Sequence, residues 1–292
     1  LAAVLRPVPR SGLLAGALAG VAAVAAVAVA MVSVPGPGGD ATSVDPASTE
    51  VLRTAALVAM DRPALDPRLD QYLFLETVEL YGGTAQQADG GYVEIPATPR
   101  LQQQWRPVDP ARDLVRRTRP YPGEGAWQEE RINQCPSPGG ILDAQGSPLP
   151  CQRQAPVLAG LPTTTTDMLG YLRQQTPGHR LDRRTYAVVG DLLRSRYLPP
   201  ASMSALFSAL AEVPGLSVSR DVTGIDGRSG LGIGVVTRNS TVKVHTRSDL
   251  IFDPRTYEYL GERTIDLAHG NAVLVGRAVL RTAVVDQPRQ LP

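Results

Sequence analysis

The longest uncharged stretch of the chain lies near its start. Residues Gly12 to Val34 contain only Ala, Val, Leu, Gly and Met apart from one serine. As a helix this run is roughly 34 Å long, enough to cross a hydrocarbon core of about 30 Å. Arg6 and Arg10 precede the run and Asp40 is the first charge after it, so the arginine asymmetry places the N-terminus in the cytoplasm. The pattern predicts a cytoplasmic remnant at 1–11, a transmembrane helix at 12–34, a flexible Pro/Gly-rich linker at 35–47 and an extracytoplasmic domain at 48–292.

A cleaved signal peptide is the alternative to a retained anchor. Ala28-Val29-Ala30 has the small-x-small pattern of a cleavage site. The apolar core of a secretory signal runs about 7–15 residues, shorter than this one, which favours the anchor. Either interpretation leaves the remainder of the chain outside the cytoplasm.

Helical periodicity appears in four segments of the predicted exterior domain. The clearest is Ser202 to Val213, where Met203, Leu206, Phe207 and Leu210 recur at helical spacing between flanking prolines. The other predicted helices are Ser48–Met60, Thr163–Gln174 and Thr185–Tyr197.

From Leu216 onwards the hydrophobic period changes to two, which is typical of strands. Turn-forming residues separate five such runs, so they predict a β-meander. The five runs are Leu216–Ile225, Leu231–Thr237, Ser240–Phe252, Tyr257–Asp266 and Ala272–Val285. Three earlier strand candidates are Gln71–Tyr81, Tyr92–Ile95 and Leu101–Trp105.

The strand Ser240–Phe252 indicates how the sheet is covered. Leu250 and Phe252 share one face with other apolar side chains, whereas Arg247 and Asp249 lie on the other. One face is therefore expected to pack on the helices and the other to meet solvent. Helices segregated against an antiparallel sheet make the predicted fold class α+β, a β-meander with helices packed on one face.

Charge excludes one class of function. The net charge is +1 and no face dense in Lys or Arg is apparent, so nucleic-acid binding is not expected. Lys243 is the single lysine among 29 basic residues. With the abundant Ala, Gly, Pro and Val, this arginine bias is typical of a GC-rich genome such as an actinobacterium.

Two cysteines, Cys135 and Cys151, bracket a segment crowded with Pro and Gly. Such a loop cannot hold itself with helix or ladder hydrogen bonds, and a disulfide closing about 15 residues contributes about 3 kcal/mol in the chain-entropy model. We expect the bridge to form in an oxidising exterior. A lone pair without nearby histidines or a CxxC motif argues against a metal or redox site.

Motifs that suggest chemistry are weak. Ser240 and Lys243 match the SxxK of penicillin-recognising serine enzymes, but the strand pattern sends the two side chains to opposite faces. The glycines 230, 232 and 234 form a GxGxG without the helix that a dinucleotide site needs, so we interpret them as a turn or a thin spot in the sheet.

Histidines and arginines offer no stronger candidate. His179, His245 and His269 are scattered, and the basic run at 116–119 is interpreted as a solvated strand face or a phospholipid-headgroup contact. The sequence therefore predicts no catalytic, cofactor-binding or metal-binding residues, and no enzyme activity.

Several stretches resemble a family of actinobacterial single-pass membrane proteins. The matching segments, within residues 160–286, are Leu161-Pro162-Thr163, Leu206–Gly215, Asp249–Thr264 and Val284-Val285-Asp286. That family is distantly similar to the curved half-barrel sheets of lipoprotein carriers and of periplasmic sensors that restrain anti-sigma factors. The resemblance implies a curved sheet with a concave apolar surface for a lipid or partner peptide, and it transfers no functional residue.

The expected function is a membrane-anchored binding or sensory domain linked to envelope-stress sigma-factor regulation. Its expected partners are the cytoplasmic membrane and either a protein regulator or a lipid. A lipid or lipoprotein carrier with an apolar cavity is the alternative, and a cell-wall enzyme is a third hypothesis.

Overall fold

The structure is a computed structural model of the chain. It describes residues 43–81, 83–86, 92–95, 97–133, 156–157, 160–176, 178, 181–239 and 244–292. The predicted transmembrane helix at 12–34, the predicted disulfide between Cys135 and Cys151, and the SxxK segment lie outside these residues. Within them, no helix combines the length and the apolar character needed to cross a membrane.

Four helices occur in the described part, and all four were predicted. Side chains cap three of their N-termini: Asp45, Thr164 and Asp182 each accept a hydrogen bond from a backbone N–H of the first turn. The last helix begins on Pro200, where a missing N–H costs nothing. The helices are α1 Pro46–Met60, α2 Thr165–Gln175, α3 Arg183–Ser195 and α4 Pro200–Leu210.

Nine strands form one antiparallel sheet in the order β6-β5-β4-β1-β11-β10-β9-β8-β7, and β2 and β3 pair separately. The predicted meander is confirmed as β7 to β11, and β11 then pairs with β1. The α+β fold class is therefore confirmed. The strands are β1 Tyr72–Tyr81, β2 Gly83–Gln86, β3 Tyr92–Ile95, β4 Arg100–Pro107, β5 Leu114–Pro120, β6 Gln128–Ile132, β7 Ser217–Thr223, β8 Ser229–Asn239, β9 Val244–Phe252, β10 Tyr259–Asp266 and β11 Ala272–Val285.

The main core lies between the helices and one face of the sheet. Phe207 of α4 packs edge-on against Phe252 of β9, with ring centroids 5.2 Å apart. Tyr186 of α3 is buried, and its hydroxyl lies 3.1 Å from the carbonyl oxygens of Ile233 and Ser248 in β8 and β9. This tyrosine ties the helical layer to two neighbouring strands.

The expectation that the other face meets solvent is wrong at Asp249. This side chain is fully buried on that face. Arg247 donates from Nε to its Oδ1 at 2.7 Å, and the Nε of Arg263 lies 3.5 Å from its Oδ2. Gly232 and Gly234 in β8 make room for it, since a Cβ on Gly234 would sit 2.5 Å from Oδ1. The ion pairs stabilise a buried charge that would otherwise be too costly to desolvate.

The C-terminal segment covers a second region of that face. Trp105 of β4 is fully buried against Phe74 of β1. Its indole N–H donates to the carbonyl oxygen of Gln290 at 2.7 Å. Both faces of the sheet therefore carry buried side chains.

Candidate binding cavity

A cavity of about 610 Å³ lies between the helices and the sheet. Its walls come from α1, α4 and the C-terminal end of α3 on one side, and from β1, β4, β10 and β11 on the other. Small-molecule sites range over about 300–1,000 Å³. The cavity therefore has the size of a ligand site.

The cavity forms where two strands part. β10 and β11 pair from Gly261 opposite Ala278 towards the turn that joins them, and that pairing stops there in the other direction. Beyond Ala278, β11 continues alongside β1, with a register irregularity between Glu76 and Thr77. Val279 and the three residues after it line the cavity. The part of β11 that no longer pairs with β10 therefore faces the cavity.

One part of the wall is apolar. Ala55, Ala59 and Phe207 are almost fully buried, whereas Val58 and Met203 are half-buried. These side chains come from α1 and α4. The opposite wall adds apolar groups from the sheet, namely Leu73, Leu75, Tyr259, Leu260 and Val279.

Arginines form the other notable part of the wall. Seven of them line the cavity, together with one glutamate, Glu258. The arginines are Arg62, Arg106, Arg194, Arg196, Arg228, Arg277 and Arg281.

Ion pairs with described carboxylates are seen for Arg62, Arg194, Arg228 and Arg277. Arg62 contacts Glu258 at 2.7 Å, and Arg194 contacts Glu262 at 2.7 Å and also Asp191. Arg228 pairs with Asp226, and it donates from Nη2 to the carbonyl oxygen of Val279 at 2.7 Å. The remaining pair joins Arg277 and Glu79, with Nε and Oε1 3.6 Å apart.

Burial and neighbouring charge shift the pKa of two lining arginines in opposite directions. Burial and the positive charges of Arg277 and Arg196 together lower the pKa of Arg106 to about 10, although the carboxylate of Glu79 acts in the opposite direction. Burial would also lower the pKa of Arg194, but its hydrogen bond to Glu262 and the charge of that carboxylate outweigh burial and raise it. The surroundings of Arg106 thus disfavour its positive charge, whereas the carboxylate of Glu262 stabilises the positive charge of Arg194.

The residues that the sequence singled out lie elsewhere. His245 accepts a hydrogen bond from Arg238 at 3.1 Å, and exposed His269 contacts Asp266 at 2.7 Å. The three glycines of the GxGxG lie within β8, which confirms the thin spot in the sheet. His179 lies outside the described residues. In the part of the chain that the structure describes, no three His, Cys, Asp or Glu side chains group closely enough to hold a metal ion.

The basic run lies in β5 and makes specific contacts. Arg116 pairs with Glu130 at 2.6 Å. Arg117 lies over the rings of Trp105 and Trp127, at 5.0 and 4.4 Å from their centroids. Arg119 lies 4.7 Å from the centroid of Trp127. The prediction that this run lies on a strand is confirmed, and its arginines are only partly exposed because cation–π contacts hold two of them against the sheet.

The sequence does not indicate that the cavity arginines lie together, because they come from three different helices and strands and from the segments between them. No local spacing relates Arg62, Arg106, Arg196 and Arg277 to one another. A local signal existed only for Arg277 and Arg281, the two charges between the apolar residues of the last predicted strand.

No protein-family profile matches the chain, and no curated protein matches it either. The solved structures that are similar to it include the Pseudomonas aeruginosa MucA/MucB complex, at 12% identity over 82% of this chain and 57% of that chain. A second, MucB in complex with MucA(peri), is 10% identical and covers 84% of this chain and 59% of that chain. Both have a TM-score of 0.26. The chain thus spans less than two thirds of either structure, and a structural likeness this distant supports no transfer of ligand or partner.

Proposed function

We propose that the chain is a membrane-anchored extracytoplasmic binding and sensory domain that holds an amphiphilic ligand in the cavity between its helices and its sheet. The observation that carries this proposal is the cavity of about 610 Å³, which is lined both by apolar side chains from the helices and the sheet and by arginines. Its role is binding without catalysis. The apolar run at 12–34 is the proposed anchor.

The mixed wall favours an amphiphile over a purely apolar or purely polar ligand. An alkyl chain removed from water gains about 0.8 kcal/mol for each buried CH₂ group, and the side chains of α1 and α4 provide the apolar surface for it. Polar groups at a few fixed positions then orient the ligand. Both features occur here in one cavity.

A regulatory role follows from the anchor, because a tethered domain can report its occupancy to a protein in the same membrane. We propose that this readout goes to an envelope-stress sigma-factor circuit, on the basis of the sequence resemblance to periplasmic sensors that restrain anti-sigma factors. A carrier that passes lipid or lipoprotein between surfaces would use the same cavity, and it is the second candidate.

Photolabelling of the full chain in membranes tests the proposal. Membranes containing the protein are irradiated with a diazirine analogue of palmitate, and labelled peptides are identified by mass spectrometry. We expect label in peptides of α1, α4 and β11. Val58→Trp places a large ring in the cavity and should reduce that label about tenfold, which corresponds to about 1.4 kcal/mol.

Leu57→Trp is the matched control, because Leu57 is the neighbouring residue of α1 and its side chain is 70% exposed. This variant should label like the unaltered protein. Label confined to residues 12–34, or unaffected by Val58→Trp, would contradict the proposal. The full chain captured from the same membranes should retain an anti-sigma factor if it is a sensor. Release of bound label to acceptor vesicles would instead indicate a carrier.

A further inference from the structure

Among the described residues that line the cavity, arginines outnumber carboxylates. The five acidic side chains that pair with lining arginines are Glu79, Asp191, Asp226, Glu258 and Glu262. The described lining itself contains seven arginines and one carboxylate, that of Glu258. The protein as a whole has a net charge of only +1, so this local excess of positive charge is a property of the cavity.

Three of the lining arginines, Arg106, Arg196 and Arg277, reach the cavity from different parts of the fold. Arg106 comes from β4, Arg196 follows the end of α3, and Arg277 lies in β11 and is 7% exposed. Burial lowers the pKa of Arg106, and the positive charges of Arg277 and Arg196 add to this, whereas the carboxylate of Glu79 opposes it. Arg277 also donates from Nη1 to the carbonyl oxygen of Arg194 at 2.7 Å, which joins the end of α3 to the sheet at this point.

Two of these guanidinium groups have unused donors. The Nε atoms of Arg196 and Arg277 are buried, and neither makes a hydrogen bond with a described residue; Oε1 of Glu79 lies 3.6 Å from that of Arg277. No carboxylate among the described residues forms an ion pair with Arg196. Buried donors to which the fold offers no acceptor are costly. They are the groups that an anionic ligand would satisfy.

We infer that Arg106, Arg196 and Arg277 bind the acidic headgroup, a carboxylate or a phosphate, of an amphiphile whose alkyl chain lies along the apolar wall. This inference rests on the proposed function and specifies the ligand class of the same cavity. The guanidinium fork matches the two oxygens of a carboxylate or phosphate, and hydrogen bonds to such anions are about twice as strong as neutral ones. An anion here also compensates the repulsion between like charges.

Two photoprobes that differ only in their headgroup test the inference. The diazirine analogue of palmitate carries a carboxylate, and the analogue of the corresponding fatty alcohol is neutral. In membranes containing the full chain we expect the acid to label the cavity peptides about tenfold more than the alcohol. Unlabelled palmitate should displace the acid probe, whereas inorganic phosphate alone at the same concentration should not.

Arg196→Gln is the most informative variant, because it removes a guanidinium that has no carboxylate partner among the described residues. It should reduce labelling by the acid about tenfold and leave labelling by the alcohol unchanged. Arg106→Gln should act in the same direction and serves as the second variant. Arg53→Gln is the control, since Arg53 is exposed on α1 and pairs with Glu212 outside the cavity.

The outcomes separate the inference from the proposed function. Equal labelling by acid and alcohol, with no effect of Arg196→Gln or Arg106→Gln, would overturn the headgroup assignment and leave the cavity as an apolar binding site. Displacement by phosphate alone would overturn the assignment of an amphiphile. Absence of label in the cavity with either probe would overturn the proposed function itself.

Discussion

Close approach between neighbouring strands explains the glycines of β8. The side chain of Asp249 in β9 lies over Gly232 and Gly234, where any larger residue would compete with it for space. Asp249 in turn requires Arg247 and Arg263, because a buried carboxylate is tolerated only when it is paired. Two small residues and three charged ones therefore form a single structural unit on the face opposite the helices.

Gly234→Ala is expected to destabilise the protein. The added Cβ would overlap the backbone oxygen of Ser248 and approach the carboxylate of Asp249 to 2.5 Å. Overpacking of this kind costs about 1–3 kcal/mol. Urea denaturation of the full chain should show the loss as a lower midpoint.

Gly170→Ala provides the matched control. Gly170 lies in α2, and a Cβ there meets nothing within 4 Å. Alanine in a helix is more favourable than glycine by about 0.5–1 kcal/mol, so this variant should be more stable. A Gly234→Ala protein as stable as the Gly170→Ala protein would contradict the role assigned to Gly234.

Among the elements, α1 depends strongly on its first residues. Asp45 precedes the helix, and its Oδ2 accepts hydrogen bonds from the backbone N–H and the hydroxyl of Ser48, at 3.0 and 2.7 Å. Thr49 donates to the carbonyl oxygen of Ala211, which fastens the start of α1 to the end of α4. Because α1 contributes one wall of the cavity, its capping also positions part of the binding site.

Asp45→Ala should lower the free energy of unfolding by about 1 kcal/mol, the usual cost of losing an N-cap. Asp61→Ala tests the opposite end of the same helix, where a negative charge is unfavourable to the helix dipole. That variant should be neutral or slightly stabilising. The two midpoints of urea denaturation check the prediction, and equal effects at both ends would refute the capping role.

At the scale of the whole molecule, a few buried contacts join the helical layer to the sheet. Tyr186 is one of them, since its hydroxyl reaches carbonyl oxygens of two strands. Burial raises the pKa of Tyr186 well above its ordinary value, and the negative charge of Asp249 adds to this. Burial and the charge of Glu262 likewise raise the pKa of Tyr259 in the cavity wall.

These shifts predict a loss of stability in alkali. Above about pH 10 an unfolded tyrosine ionises, whereas buried Tyr186 and Tyr259 keep their protons. The native state then binds more protons than the unfolded state, so the free energy of unfolding falls as the pH rises, by roughly 1.4 kcal/mol per pH unit for each tyrosine.

Tyr186→Phe should remove one such contribution from the slope above pH 10. At pH 7 the same variant should cost about 1 kcal/mol, the net value of a hydrogen bond. Urea denaturation at a series of pH values gives both numbers. A slope unchanged by Tyr186→Phe would show that this hydroxyl does not remain protonated in the native state.

Periodicity in the sequence alone predicted α1 to α4, the meander β7 to β11 and the α+β class, because each element repeats its apolar residues with its own spacing. It missed β2 and β6, and within β5 it assigned only the basic run at 116–119 to a strand. In β5 arginines occupy alternate and adjacent positions, and their contacts with Trp105 and Trp127 come from other parts of the chain. β6 is an edge strand of mostly exposed polar residues, which need not show an apolar alternation.

The tertiary structure alone decided the candidate site. The cavity lies where the pairing of β10 with β11 ends at Ala278. The spacing of apolar residues along one strand does not show where its pairing with a neighbouring strand ends. Arg106, Arg196 and Arg277 meet there from a strand before the helices, the end of a helix and the last strand. The spacing of apolar residues in the sequence indicates which face of a helix or strand is apolar. Which side chains from distant parts of the chain come into contact depends on how the helices and strands pack against each other.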